Sequence, residues 1–328
     1  MKFSPLTFLA AGLLSASTVA AHGELLSRSE LSRRGALSKR CSSHVARFNE
    51  KRYAKRMAKR DWGTGKSTIQ VTTPAPYYDV LQNHTCVLST EITGGPYTWL
   101  QSQMLRQDTT EGQPGVPVWL DIGLMDMGTC EPLEGALVRI WSADATGSYS
   151  SFTGVDPNTP FKEVIAQHGL ANFTVGETDF HTDDTTYLRG MWPTDAEGLA
   201  EIKTVYPGFY AGRAIHVHAQ VYTDWTLYGD GTLRSHNVVS TGQLYFEEDV
   251  SARIMSLEPY ASHTEIMRRK NSEDRHFADG ISEGFNPVIT VVPADGENIN
   301  NGVVGYITMV IDPTDIKTGD AEPVISVD

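Results

Sequence analysis

Apolar and polar side chains alternate along most of the chain beyond residue 115. Val118, Leu120, Ile122 and Leu124 take every second place between Val116 and Asp126, the period of a strand with one buried face. The same texture recurs in Ala136–Trp141, Thr186–Met191, Leu199–Val205, Ile215–Tyr222, Thr241–Phe246, Val288–Val292 and Val303–Ile311, and turn clusters such as Thr194-Asp-Ala-Glu-Gly198 separate the runs. Helical spacing is confined to Glu247–Tyr260, where Val250, Ile254 and Leu257 fall on one face. The pattern predicts a mainly β protein: an antiparallel β-sandwich core with long loops and a few short helices. One domain is expected over residues 80–315, with a tail over 316–328. Residues 151–185 read as a long polar connection, of a length that on a compact domain is often functional. Residues 223–240 form a second polar loop.

The N-terminal quarter has a different character. Lys2, the apolar run Leu6–Leu14 and the small residues Val19-Ala-Ala21 read as a signal peptide over residues 1–21. A membrane anchor is the alternative, but the run is short for a span. The expected compartment is therefore extracellular, with no membrane contact after the signal is removed. Residues 22–60 carry five dibasic pairs, from Arg33-Arg34 to Lys59-Arg60. They read either as a propeptide or as a retained basic helix with Val45, Phe48 and Met57 on one face. Such a helix would pack on the body or on a second subunit, which leaves a homodimer open. Residues 61–79 read as a linker.

Charge sharpens this division. Residues 1–60 hold 13 Lys+Arg against 3 Asp+Glu, and the rest of the chain 14 against 37. A body so acidic repels phosphate backbones, so nucleic acid is not expected as a partner. Three cysteines suit an oxidising compartment. Cys41 stands apart in the basic region, so Cys86 is expected to pair with Cys130, leaving Cys41 free, removed or bonded elsewhere. Asn83 and Asn172 open glycosylation sequons.

The chemistry gathers in Thr204–Val221. Ile215, Val217, Ala219 and Val221 alternate with His216, His218 and Gln220, so strand geometry puts both imidazoles on one face, close enough to share an ion. Taken singly, Tyr210 reads as a packing residue, Arg213 as a solvated charge and Tyr149 as a turn aromatic. A histidine pair alone is a weak metal signal.

Pro207-Gly-Phe-Tyr210 followed by Gly212-Arg-Ala-Ile-His-Val-His218 resembles the metal-site motif of the intradiol ring-cleavage dioxygenases. Gly94-Gly-Pro-Tyr97, Thr129–Ala136, Ile140–Ser150, Leu188-Arg-Gly190, Gly242-Gln-Leu-Tyr-Phe246 and Gly305-Tyr-Ile-Thr308 are similar to further segments of that family, in order, over roughly residues 80–312. The signal peptide, basic region and cysteines look most like its secreted fungal branch. The resemblance implies one mononuclear non-haem Fe(III) held by Tyr149, Tyr210, His216 and His218. It also implies that Tyr210 leaves the metal as substrate binds, that Arg213 stabilises the anionic substrate, and that Gln243 stands behind them. The expected substrates are a catechol-type aromatic diol and O2, with the ring opened between the hydroxylated carbons to a muconate-type diacid. Trp141-Ser142 and Tyr97-Thr98 depart from the family's Trp-His and Tyr-Tyr, which bears on the pocket wall and not on the ligands. A non-catalytic secreted sandwich that binds carbohydrate or cell wall is the alternative reading. A zinc hydrolase is a third, and it would need another histidine or carboxylate.

Overall fold

The computed structural model describes residues 28–58, 92–99, 103–170, 173, 178–228, 233–235, 237–282 and 285–316. The expected signal peptide, the linker, Cys86 and both sequon asparagines lie outside them. The strands are β1 (Pro117–Asp126), β2 (Leu137–Trp141), β3 (Arg189–Pro193), β4 (Leu199–Val205), β5 (His216–Tyr222), β6 (Trp225–Leu227), β7 (Leu233–Ser235), β8 (Val238–Phe246), β9 (Val288–Pro293) and β10 (Val303–Ile311). The helices are α1 (Arg28–Ala58), α2 (Phe161–Gln167), α3 (Glu248–Ile254) and α4 (Arg275–Gly280). No helix among the described residues is long and apolar enough to cross a membrane.

Eight strands run in the order β3-β2-β5-β8-β9-β10-β1-β4. β9 joins two halves: Val288 and Ile289 pair with β8, and Thr290 to Pro293 pair with β10. The halves close on each other. Val118, Leu120, Ile122 and Leu124 of β1 share one buried cluster with Val217, Ala219 and Val221 of β5, so the alternation seen in the sequence does mark the inner faces. The mainly β expectation holds, but the pairing is mixed. β1 runs parallel to β10, and β8 parallel to β9. Period two reports which face a residue takes and says nothing of strand direction. β6 and β7 form a separate hairpin within the loop expected at 223–240.

α1 lies on the outer face of β1 and β10. Cys41, Val45 and Phe48 pack with Met125, Met127, Leu199 and Val310. Arg52 is buried there, bonding Asp121 through Nε at 2.8 Å and Thr308 Oγ1 through Nη1 at 2.8 Å. Arg34, also buried, pairs with Asp315. The expected Cys86–Cys130 bond is overturned: Cys130 is bonded to Cys41, with Cα atoms 5.2 Å apart. Apartness along the chain misled the assignment. α1 folds back over the sheet and sets Cys41 beside the turn that follows β1.

Candidate metal centre

β5 is buried on both faces. Val217, Ala219 and Val221 enter the core, and His216, His218 and Gln220 point the other way. Register carries this second face across the sheet. His218 lies opposite Trp141 on β2 and Gln243 on β8, and His216 opposite Tyr245. Residues in register share a face, so strand pairing alone assembles a row Trp141–His218–Gln243. The Trp141 indole stacks on the His218 ring, centroids 4.7 Å apart and planes 1° from parallel. On its other side the Gly95 backbone, with φ +76°, comes so close that a Cβ would sit 3.0 Å from His218 Cε1.

Two loops bring the tyrosines. Asp144 Oδ1 accepts from the amides of Thr146 and Ser148 and closes a turn after β2. Gly147, at φ +92°, lies against the Phe209 carbonyl, where a Cβ would come within 2.1 Å, so only glycine fits. The loop before β5 bonds this turn through Gly208 N to Asp144 O at 2.9 Å. Tyr149 and Tyr210 are thereby placed with ring centroids 5.5 Å apart. Tyr97 stacks on Tyr149 at 4.8 Å and meets Tyr210 edge-on at 5.9 Å. Phe152, Phe161 and Phe180 complete an aromatic wall around Tyr97. All three come from the connection that read as polar.

The donor atoms converge. His216 Nε2 faces His218 Nε2 at 3.0 Å and Tyr210 Oη at 3.4 Å. His216 Nδ1 lies 2.7 Å from the Ala214 carbonyl. That carbonyl can only accept, so Nδ1 carries the proton and Nε2 presents an electron pair. The Tyr149 hydroxyl and His218 Nδ1 are buried and lack partners of hydrogen-bond geometry. Burial lowers the His216 pKa to about 3, with the Arg213 charge adding to the effect. His218 is driven well below its ordinary value by burial, then by His216 and Arg213. Both imidazoles are thus uncharged at neutral pH. Burial raises both tyrosines, with Tyr210 adding to the rise at Tyr149 and Arg213 opposing it at Tyr210.

These residues fit a metal ion. Two imidazole nitrogens 3.0 Å apart, beside the buried hydroxyls of Tyr149 and Tyr210, make a donor set that a cation would satisfy. Only a strong local charge would deprotonate phenols held so high, and a multivalent cation supplies one. Among the described residues no group of three His, Cys, Asp or Glu converges on a metal position, so a centre here must draw on tyrosine, and the zinc reading lacks its third ligand.

Arg213 stands beside this cluster, with Nη1 3.5 Å from Tyr210 Oη. It is held by Asp274 Oδ2 at 2.9 Å from Nε, by the Gln243 carbonyl oxygen and by Tyr245 Oη at 3.2 Å. Burial works against its charge, but Tyr210, Tyr245 and Asp274 keep its pKa above the ordinary arginine value. Gln243 also donates to the Thr93 carbonyl at 3.0 Å, so it braces the arginine. Tyr149, Tyr210, Arg213, His216, His218 and Gln243, the expected site residues, all lie in this one cluster. Asp274 and the aromatic wall were not anticipated.

A family profile described as Dioxygenase matches residues 92–265, more than half of the chain. The chain belongs to the intradiol ring-cleavage dioxygenase family. The intradiol ring-cleavage dioxygenase from Tetranychus urticae is 28% identical and superposes with a TM-score of 0.57, over 71% of this chain and 98% of that one. The 3-chlorocatechol 1,2-dioxygenase from Rhodococcus opacus 1CP is 15% identical with a TM-score of 0.40, over 71% and 76%. Comparison with curated proteins gives no match. Asp274 and β9–β10 lie beyond the residues that the dioxygenase profile covers.

Proposed function

We propose that this dioxygenase is a secreted enzyme that holds one ferric ion through Tyr149, Tyr210, His216 and His218 and opens catechol-type diols between the hydroxylated carbons. The observation that carries the reading is the convergence of His216 Nε2, His218 Nε2 and Tyr210 Oη within 3.4 Å, beside the buried Tyr149 hydroxyl. Hard phenolate oxygens favour Fe(III) over softer or divalent ions. Bound iron would supply the Lewis acidity that ionises the phenols and activates the diolate toward O2.

The protein's own groups support the remaining steps. Tyr210 Oη accepts a proton from one substrate hydroxyl, since its place between His216 and Arg213 lets it serve as phenolate or phenol. Arg213 stays charged throughout and faces the anionic diolate, a fixed electrostatic partner that needs no reorganisation. Asp274, Gln243 and Tyr245 fix its direction. The wall of Tyr97, Phe152, Phe161 and Phe180 offers ring faces to a flat aromatic and excludes water. Both oxygen atoms of O2 end in the two carboxylates of a muconate-type product. The intact donor set and the braced arginine argue against a degenerate sandwich that only binds carbohydrate.

Metal analysis, visible spectroscopy and oxygen uptake test the proposal. The expected result is one iron per chain, a red-brown protein, and O2 consumption with catechol or hydroxylated catechols. A colourless protein that carries zinc, with no uptake across a broad diol panel, would overturn it.

A further inference from the structure

Arg189 is buried at 1% exposure, yet among the described residues no carboxylate lies within ion-pairing distance of it. Its Nε donates to Ser150 Oγ at 2.8 Å, and its Nη2 donates to the Ser150 carbonyl at 2.6 Å and the Tyr97 carbonyl at 3.0 Å. Nη1 is buried without a partner. One guanidinium thus ties the backbone beside Tyr149 to the backbone of Tyr97, the two rings that stack at 4.8 Å. Ser150 Oγ in turn donates to the Tyr187 carbonyl at 2.6 Å.

The turn that Arg189 grips is strained. Ser151 has φ +69° and Leu188 has φ +58°, left-handed conformations that cost a non-glycine residue about 1–2 kcal/mol each. They persist where surrounding bonds over-determine them, often next to a functional group. A buried guanidinium with no counter-charge is also unfavourable. In the strand pattern Arg189 reads only as the start of β3.

We propose that Arg189 is a positioning residue: it clamps the Tyr149 turn to the Tyr97 segment and so fixes where the Tyr149 ring stands. The clamp rests on hydrogen bonds alone, and its expected effect on iron rests on the metal centre assigned above.

The test compares Arg189→Gln, Arg189→Lys and Ser150→Ala with the parent. The metal-free proteins are treated with tetranitromethane, and nitrated tyrosines are mapped by mass spectrometry. The iron-loaded proteins are examined for the position of the phenolate absorption band and for iron affinity. Arg189→Gln is expected to expose Tyr97 and Tyr149 to nitration while Tyr245 stays protected, to shift the band, and to weaken iron binding about 10–100-fold, the range for groups that orient metal ligands. Arg189→Lys loses the three-bond fork, so it should release the Tyr149 turn as Arg189→Gln does. Ser150→Ala removes one acceptor and leaves the arginine in place, and it carries the clamp test should both arginine variants fail to fold. It should raise Tyr149 nitration alone. Parent-like nitration, band and iron affinity in all folded variants would overturn the proposal. If the parent binds no iron but the nitration pattern still changes in the variants, the clamp stands and the ferric assignment falls.

Discussion

Asp274 holds Arg213 from behind: one carboxylate oxygen, Oδ2, accepts both from Arg213 Nε at 2.9 Å and from the Ala214 amide at 2.8 Å. The same bond pair locks the backbone two residues before His216, so the arginine and the first histidine share one anchor. Asp274→Asn keeps the shape and removes the charge. We expect kcat/KM to fall by about 10–100-fold, as for other groups that orient a site, with iron content little changed. Steady-state kinetics beside metal analysis checks this, and a parent-like kcat/KM would refute the anchoring role.

Protons should weaken the metal-free fold in two windows. Asp274 is pulled down, against its burial, chiefly by Arg213, so its contribution is complete above the ordinary carboxylate range and is lost as pH falls through its lower folded pKa. His216 acts at higher pH. It titrates at about 6.5 when unfolded and about 3 when folded, so the unfolded chain takes up the proton first. Stability should therefore fall as pH drops from about 6.5 toward 3, and level off above 7. Urea midpoints at pH 7.5, 6.0 and 4.5 measure the slope, and His216→Gln should flatten the upper part of it.

Tyr149→Phe should have different effects on the two forms of the protein. It deletes a buried hydroxyl whose contact with the Tyr210 hydroxyl falls short of good hydrogen-bond geometry, so the metal-free fold should change by no more than about 1 kcal/mol. The iron-loaded protein should lose affinity and change colour. Denaturation of the metal-free form and spectra of the loaded one decide it. A larger destabilisation of the metal-free form would show that the hydroxyl already has a structural partner.

Gly95→Ala should disturb His218 from outside the donor set. The new methyl would meet the His218 ring at 3.0 Å, at a φ of +76° that alanine resists. A loss of about 1–3 kcal/mol is expected from the backbone alone, together with a displaced imidazole and reduced iron content. Parent-like iron content would mean that the loop yields instead.

Cleavage after Lys59-Arg60, the last of the dibasic pairs, should not release α1. The helix stays bonded through Cys41–Cys130 and through buried Arg34 and Arg52. The cut protein should run as one species on a non-reducing gel and as two after reduction. Cys41→Ser should cost about 2–5 kcal/mol in denaturant.

Much of the centre was legible because its signals are local. His216 and His218 are two apart on a strand, so strand period alone put them on one face, and Tyr210 and Arg213 precede them within one loop, where the family resemblance gave them their expected roles. Tyr149 needed the family resemblance, since nothing near it announces a ligand. Asp274 was invisible: it sits 60 residues beyond Ala214, in a segment with no periodicity that folds into a short helix. The pocket wall was missed because Phe152, Phe161 and Phe180 are spread through a polar loop and meet only when it folds. The disulfide was misassigned because chain distance stood in for spatial distance.

The parallel pairing of β1 with β10 also constrains when the protein can become whole. β1 emerges early from the ribosome, but its parallel neighbour is the last strand translated among the described residues. α1 emerges before either and covers both. The surface it needs does not exist until nearly the whole chain has been made. A vectorially folding chain must therefore carry an unseated amphipathic helix and an open strand edge through most of its synthesis, and such long-range pairing is slow and prone to aggregation. A nascent chain cut short before Val303 should leave α1 undocked and sensitive to protease, however complete its metal ligands are.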